Sequence, residues 1–176
     1  SGSVTLGPVK INCDFEVSNT ATITLNGPVW VSGDINFANT ATFTVGSPLQ
    51  NKSAPIIADN PADRLTSSRI TLQNSTTYIG NGTKSFILLL SQNGSAEAGG
   101  SEVAIDVKNS ASGALLVYAG HGEIKLQNNV NIREVTWYRI RAQNSAKVVY
   151  ESGLANLLFT AGPSAGFSIE SWKEIE

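Results

Sequence analysis

Residues 8–27 and 28–47 carry one twenty-residue phrase twice: PVKINCDFEVSNTATITLNG, then directly PVWVSGDINFANTATFTVGS. Eight positions are identical: Pro8/Pro28, Val9/Val29, Asp14/Asp34, Asn19/Asn39, Thr20/Thr40, Ala21/Ala41, Thr22/Thr42 and Thr24/Thr44. A direct repeat of this length marks stacked coils or blades. One copy cannot bury its own apolar face, and neighbours must do it.

The repeat also orients its side chains. Odd positions are apolar or small: Val9, Ile11, Cys13, Phe15, Val17, Ala21, Ile23 and Leu25, then Val29, Val31, Gly33, Ile35, Phe37, Ala41, Phe43 and Val45. Only Asn19 and Asn39 interrupt that set. Even positions are mostly polar, with Trp30 the large exception. Period two is the signature of a half-buried strand, because successive Cβ atoms point to opposite faces. The register continues across Asn19 and Asn39, so the chain turns there without changing parity.

Hairpins and coils both give two strands per repeat. A hairpin meander needs a tight turn such as Asn-Gly at each reversal. Asn26-Gly27 supplies one, but Gly46-Ser47 replaces it in the next copy. In a solenoid each position stacks on its own equivalent, about 4.8 Å away. The identities then acquire a cause: Asn19 over Asn39 as an amide ladder, Phe15 over Ile35, Ile23 over Phe43. The expectation is an all-β chain, a parallel, right-handed β-helix or β-solenoid with irregular loop insertions.

Corners of the same type recur at Val17–Asn19, Phe37–Asn39, Leu72–Asn74, Val107–Asn109, Leu126–Asn128 and Ala142–Asn144, with Asn spacings of 20, 35, 35, 19 and 16. Strands are expected at Arg69–Leu72, Ser85–Leu90, Val103–Val107, Ala114–Tyr118, Glu123–Leu126, Val135–Ile140 and Lys147–Tyr150. The two long intervals imply insertions at Asn51–Ser68 and Ser91–Ser101, marked by Asn-Pro and Gly-Gly turn pairs. Residues 1–3 read as a cloning scar, residues 4–176 as one solenoid domain, and 165–176 as a cap over one end.

Charged residues make up 15% of the chain and the net charge is −2, without a basic cluster. A nucleic-acid surface normally carries a basic stripe, so nucleic acid is an unfavoured partner. Cys13 is the single cysteine. Its inward parity places it in the core as a small hydrophobe.

Four groups are candidates for chemistry or contact. Asp14 and Asp34 share one outward position a coil apart. Stacked carboxylates repel unless a cation intervenes, so they form a candidate Ca2+ site. Trp30 replaces Lys10 at an outward position, and Trp137 adjoins Tyr138 on one strand. These three are candidate contacts for a glycan or protein. His121, between Gly120 and Gly122, reads as an exposed turn residue. Thr20, Thr22 and Thr24 beside Thr40, Thr42 and Thr44 make an outward hydroxyl grid, ordinary for exposed strands.

GPVWVSGDINFANTATFTV at 27–45, IIADNPADRL at 56–65 and YESGLANLLFTAGPSAGFSIESWKEIE at 150–176 resemble the C-terminal ectodomains of bacterial PilX-like minor-pilin proteins. The resemblance covers most of the chain and carries no catalytic motif. It implies a β-solenoid displayed outside the cell on an N-terminal pilin helix that this sequence lacks, alongside other pilus or envelope subunits. The function expected is non-enzymatic adhesion or binding at the bacterial cell surface. One alternative is a pectate-lyase-like carbohydrate-active enzyme, which needs Asp14, Asp34, Glu16, Lys10, Asp106 and Lys108 to converge. Another is a DNA-binding pilus-tip module.

Overall fold

A computed structural model describes residues 2–149 of the chain. The chain winds as a parallel β-solenoid with three strands to a coil. The first coil holds β1 (Ser3–Leu6), β2 (Val9–Ile11) and β3 (Phe15–Val17). The second holds β4 (Thr22–Leu25), β5 (Val29–Val31) and β6 (Ile35–Phe37). The third holds β7 (Thr42–Val45), a single 3-10 turn at Ser47–Leu49, β8 (Ala54–Ala58) and β9 (Ile70–Leu72). The fourth holds β10 (Thr77–Ile79), β11 (Ile87–Ser91) and β12 (Val103–Val107). The fifth is β13 (Ser112–Gly113) and the long β14 (Leu115–Leu126). The sixth is β15 (Asn131–Ile132) and β16 (Glu134–Ala142), after which β17 (Lys147–Val148) starts another turn.

The coils stack into three faces. The first face is the seven-stranded sheet β1-β4-β7-β10-β13-β15-β17. The second is β2-β5-β8-β11 and the first half of β14; the third is β3-β6-β9-β12 and its second half. Because β14 runs unbroken through the corner, the second and third faces join into one ten-stranded sheet. The strand pairings among the described residues are parallel, and the first coils stack in repeat register, Phe15 on Ile35 and Ile23 on Phe43. No helix among the described residues is long and apolar enough to cross a membrane.

The expected inward parity is the parity of the core. Val29, Val31, Phe37, Ala41 and Phe43 are fully buried, as are Ile56, Ile70, Leu72, Leu89, Ile105 and Leu126 further along the stack. Each of the Val, Ile, Leu and Phe side chains among them contributes about 1.5–3 kcal/mol by leaving water. Phe15 meets Phe37 edge-on at 5.4 Å, Phe37 lies 4.2 Å from Phe43, and Phe43 stacks on Tyr78 at 5.4 Å. An aromatic column therefore crosses the core from the first coil to the fourth.

Three expectations change. Each repeat holds three strands, because a second bend, at residues 12–14 and 32–34, also preserves parity. The stretch 51–68 is only partly an insertion: β8 lies inside it, and β10 was likewise not expected. Cys13 is exposed. It occupies the bend of the first coil, where only one side is stacked, whereas its counterpart Gly33 is buried against the Cys13 and Asp14 backbone.

The Asn corners follow a local rule. Asn19, Asn39, Asn74, Asn128 and Asn144 all adopt the left-handed conformation, with φ between 50° and 63°. Asn is the non-glycine residue best suited to it. Amide ladders run from Asn74 to Asn39 (3.2 Å), from Asn128 to Asn109 (2.8 Å) and from Asn144 to Asn128 (2.9 Å). The Asn19 amide instead donates to Ser18 Oγ at 3.5 Å. The expected cap at 165–176 lies outside the described residues.

Candidate functional site

The corner between the second and third faces gathers the irregular parts of the chain. Coils one and two cross it by short bends. Coil three crosses it by the loop 59–69, coil four by the loop 92–102, and coil five by a bulge in β14. In that bulge Ala119 pairs with Trp137 and Glu123 with Arg139, so residues 120–122 stand opposite Tyr138 alone. A bulge at such a place re-aims side chains. Here it lifts His121 out of the sheet, with 57% of its side chain exposed.

The two loops are held by buried polar groups. Asn93 is fully buried; its Nδ2 donates to the carbonyls of Ser67 (2.8 Å) and Leu65 (3.4 Å), and its Oδ1 accepts from Ser95 N–H (3.1 Å). Ser91 Oγ donates to the Ser68 carbonyl at 2.6 Å, and Ser68 Oγ accepts the Asn60 N–H at 2.7 Å. Gly94 N–H reaches the Arg64 carbonyl at 2.8 Å, and Glu97 N–H reaches the His121 carbonyl at 3.1 Å. Satisfied buried networks of this kind rigidify what they connect. Loop, loop and bulge therefore form one ridge.

Ion pairs follow the ridge. Asp59, 6% exposed, accepts Arg64 Nε at 2.8 Å and Nη2 at 3.1 Å. His121 Nδ1 lies 2.7 Å from Glu97 Oε2. Glu123, with 1% of its side chain exposed, is bonded by Arg139 Nη1 at 3.3 Å and Arg141 Nη2 at 2.5 Å. Arg139 Nη2 also reaches the Ala96 carbonyl at 3.5 Å, tying the sixth coil to the loop of the fourth. Between the loops lies an open groove of about 410 Å³ lined by Arg64, Leu65, Gln92, Gly94, Glu97, Ala98 and His121. It offers donors, acceptors and both signs of charge along one shallow channel.

Asp14 and Asp34 occupy the start of this ridge. They act as successive rungs: Asp14 Oδ1 accepts the Asp34 N–H at 2.8 Å, and Asp34 Oδ1 accepts the Arg69 N–H at 2.9 Å. The third-coil counterpart of these aspartates is Arg69 itself, since Ile35 pairs with Ile70. Its guanidinium bonds Asp34 Oδ2 at 2.5 Å and Glu102 at 2.9 Å. Hydrogen bonding to Asp34 comes first among the causes that push the Arg69 pKa up. The cation beside the stacked carboxylates is thus supplied by the chain. Among the described residues no three His, Cys, Asp or Glu side chains cluster as metal ligands.

The aromatic candidates separate. Trp30 is half-buried and its indole N–H donates to the Asp59 carbonyl at 3.2 Å, so it props the first loop. Trp137 and Tyr138 are both exposed, at 43% and 52%, beside the His121 bulge. Neighbouring residues of a regular strand point to opposite faces; beside the bulge both are exposed.

The charged residues required by the enzyme alternative do not converge. Lys10 is on the second face, Glu16 and Asp106 on the third. Three strand spacings, roughly 14 Å, separate Glu16 from Asp106. Asp106 instead has Lys108 at 4.0 Å.

Asn93, Glu123 and the groove were not visible as a site in the sequence. A usable signal was present: both insertions fall after a second-face strand, and therefore at one corner. Comparison of the chain with protein-family models, curated protein sequences and solved structures finds no match.

Proposed function

We propose that this chain is a non-catalytic binding module of a pilus- or envelope-associated bacterial surface protein, and that the corner ridge takes a surface glycan. One observation carries the reading: two insertions and a bulge on consecutive coils rise at one corner and leave a groove beside exposed Trp137 and Tyr138. Aromatic faces stack on sugar rings, and paired carboxylate, guanidinium and amide groups bond their hydroxyls. Glu97, Arg64 and Gln92 supply those groups. The stacked coils hold them on a rigid scaffold, which suits a ligand presented on another surface.

Titration with a panel of cell-surface oligosaccharides, followed by NMR shifts, tests the glycan reading. Binding should be weakened at least tenfold by Trp137→Ala and by Glu97→Ala. If no oligosaccharide perturbs the ridge, or if these variants bind as well as the parent, the ridge is not a glycan site. Immunolabelling of intact cells with and without the pilus machinery tests the surface assignment; a signal confined to the cytoplasm refutes it.

A further inference from the structure

Lysine and arginine are scattered along the sequence, yet the coils gather four of them on the outer side of the third face. Asp106 of β12 pairs with Lys125 of β14, and Lys125 pairs with Arg141 of β16. Glu123 and Arg139 pair two residues earlier on β14 and β16. Between these pairs Ile124 is buried and Ile140 packs against the core. Alternation therefore turns Glu123, Lys125, Arg139 and Arg141 outward. Lys108 lies just past the end of β12. Four cations, Lys108, Lys125, Arg139 and Arg141, thus share one surface with two carboxylates, Asp106 and Glu123.

Both carboxylates are engaged. Glu123 holds Arg139 and Arg141 at once, and Asp106 accepts from Gln127 Nε2 at 2.6 Å with Lys108 Nζ at 4.0 Å. Lys125 is the direct cross-strand neighbour of Arg141 and makes no ion pair with a described residue. Like charges directly opposite on one face of a sheet repel, and an anion placed between them relieves that repulsion. The arginines keep donors for one. A guanidinium carries five N–H groups in a fixed fork. Arg141 gives one to Glu123, and Arg139 gives one to Glu123 and one to the Ala96 carbonyl. Their side chains remain 53% and 46% exposed. Glu123 thus orders both groups before a ligand arrives, which lowers the entropy a ligand must overcome. The exposed aromatics adjoin them: Trp137, Tyr138, Arg139 and Arg141 follow along β16 over roughly 13 Å.

We propose that the glycan taken by the ridge is acidic, a chain of uronic-acid sugars. Lys125, Arg139 and Arg141 receive a sugar carboxylate while Trp137 and Tyr138 stack on the adjoining rings. The inference rests on the glycan reading and adds the charge of the ligand to it. A carboxylate is planar with two acceptor oxygens, a shape the guanidinium fork matches with paired N–H groups. Lys125 adds a compact positive charge beside the fork. A neutral sugar would leave the repulsion between Lys125 and Arg141 unrelieved. The whole chain carries −2, so attraction of an acidic ligand is a property of this patch and acts at short range.

NMR titration of the full 176-residue chain with matched oligosaccharides tests the proposal. Each pair is a neutral hexose tetramer and the uronic-acid tetramer of the same linkage, which carries a carboxylate in place of each hydroxymethyl group. At low salt one acidic tetramer should bind at least tenfold more tightly than its neutral counterpart and shift the Lys125, Arg139 and Arg141 resonances. The preference should shrink as sodium chloride is raised to about 0.5 M, where exposed charges are screened. Lys125→Glu, checked for folding by circular dichroism, should cost the acidic tetramer at least ten times more affinity than the neutral one. Trp137→Ala should weaken both. Equal binding of neutral and acidic members overturns the proposal and leaves the glycan reading standing, whereas binding of neither class overturns both. An acidic preference untouched by Lys125→Glu also overturns it, as does a single-stranded oligonucleotide of equal charge that binds as tightly as the acidic tetramer.

Discussion

Tyr78 tests how this core treats a polar atom. Its side chain is 1% exposed and its ring stacks on Phe43. Among the described residues its hydroxyl makes no well-formed hydrogen bond, and the Thr76 hydroxyl beside it is likewise unsatisfied. A buried hydroxyl left unpaired keeps a desolvation cost of about 1–3 kcal/mol. Tyr78→Phe retains the ring and removes the cost, so stability at neutral pH should rise by about 1 kcal/mol. The gain should grow in alkali. Burial pushes the Tyr78 phenol well above its ordinary pKa of 10.0. The folded chain therefore keeps the proton where the unfolded chain releases it. This contribution is fully present below pH 10 or so and is lost as pH rises further, at about 1.4 kcal/mol per pH unit. Between pH 10 and pH 12 the Y78F chain should gain about 2 kcal/mol on the parent. Urea unfolding followed by far-ultraviolet circular dichroism at pH 7, 10, 11 and 12 measures both differences. A Y78F chain less stable than the parent at pH 7, or a gap that stays constant with pH, refutes the reasoning.

Two further perturbations address the ridge and the stack. Removing Arg139 and Arg141 together leaves the Glu123 carboxylate, 1% exposed, without a cation. The cost should be about 3 kcal/mol in chemical denaturation, at the lower end for buried pairs because both arginines are half-exposed, and Glu123→Leu on that background should recover much of it. Gly113 sits at φ +113°, and a Cβ there would press into the Tyr78 carbonyl of the coil below. Gly113→Ala should therefore cost about 2–3 kcal/mol and lower the melting temperature; an unchanged melting curve would show that the backbone relaxes.

Much of the fold is legible in residues 8–47. Alternation of apolar and polar residues requires strands, and direct repetition requires stacking, because local sterics and burial act on each copy alike. The Asn corners are legible for the same reason: the left-handed turn is a local property that Asn favours, and five of the six corners read from the sequence place it on the Asn, the turn at Asn109 placing it on Ser110. The third strand of each coil is not legible, because the bend at residues 12–14 leaves the parity undisturbed. The solvent exposure of Cys13 is not legible either. Its parity matches that of Gly33, and only its place in the terminal coil sets the two apart.

The candidate site divides along the same line. Trp137 and Tyr138 can be named from the sequence as contact residues, since large aromatics on a half-buried strand call for an explanation. Their joint exposure beside His121 needs the β14 bulge, which exists only as a mismatch between two paired strands. Asp14 over Asp34 is a sequence fact, but the neutralising Arg69 lies 35 residues further on. Repeat periodicity by itself determined that this chain is a parallel β-solenoid, because that information is local and repeated. Tertiary structure alone decided that Asp34 meets Arg69, that Glu123 is buried under two arginines and that two distant loops share one corner. Those contacts depend on how coils of unequal length come into register, and no single stretch of sequence contains that register.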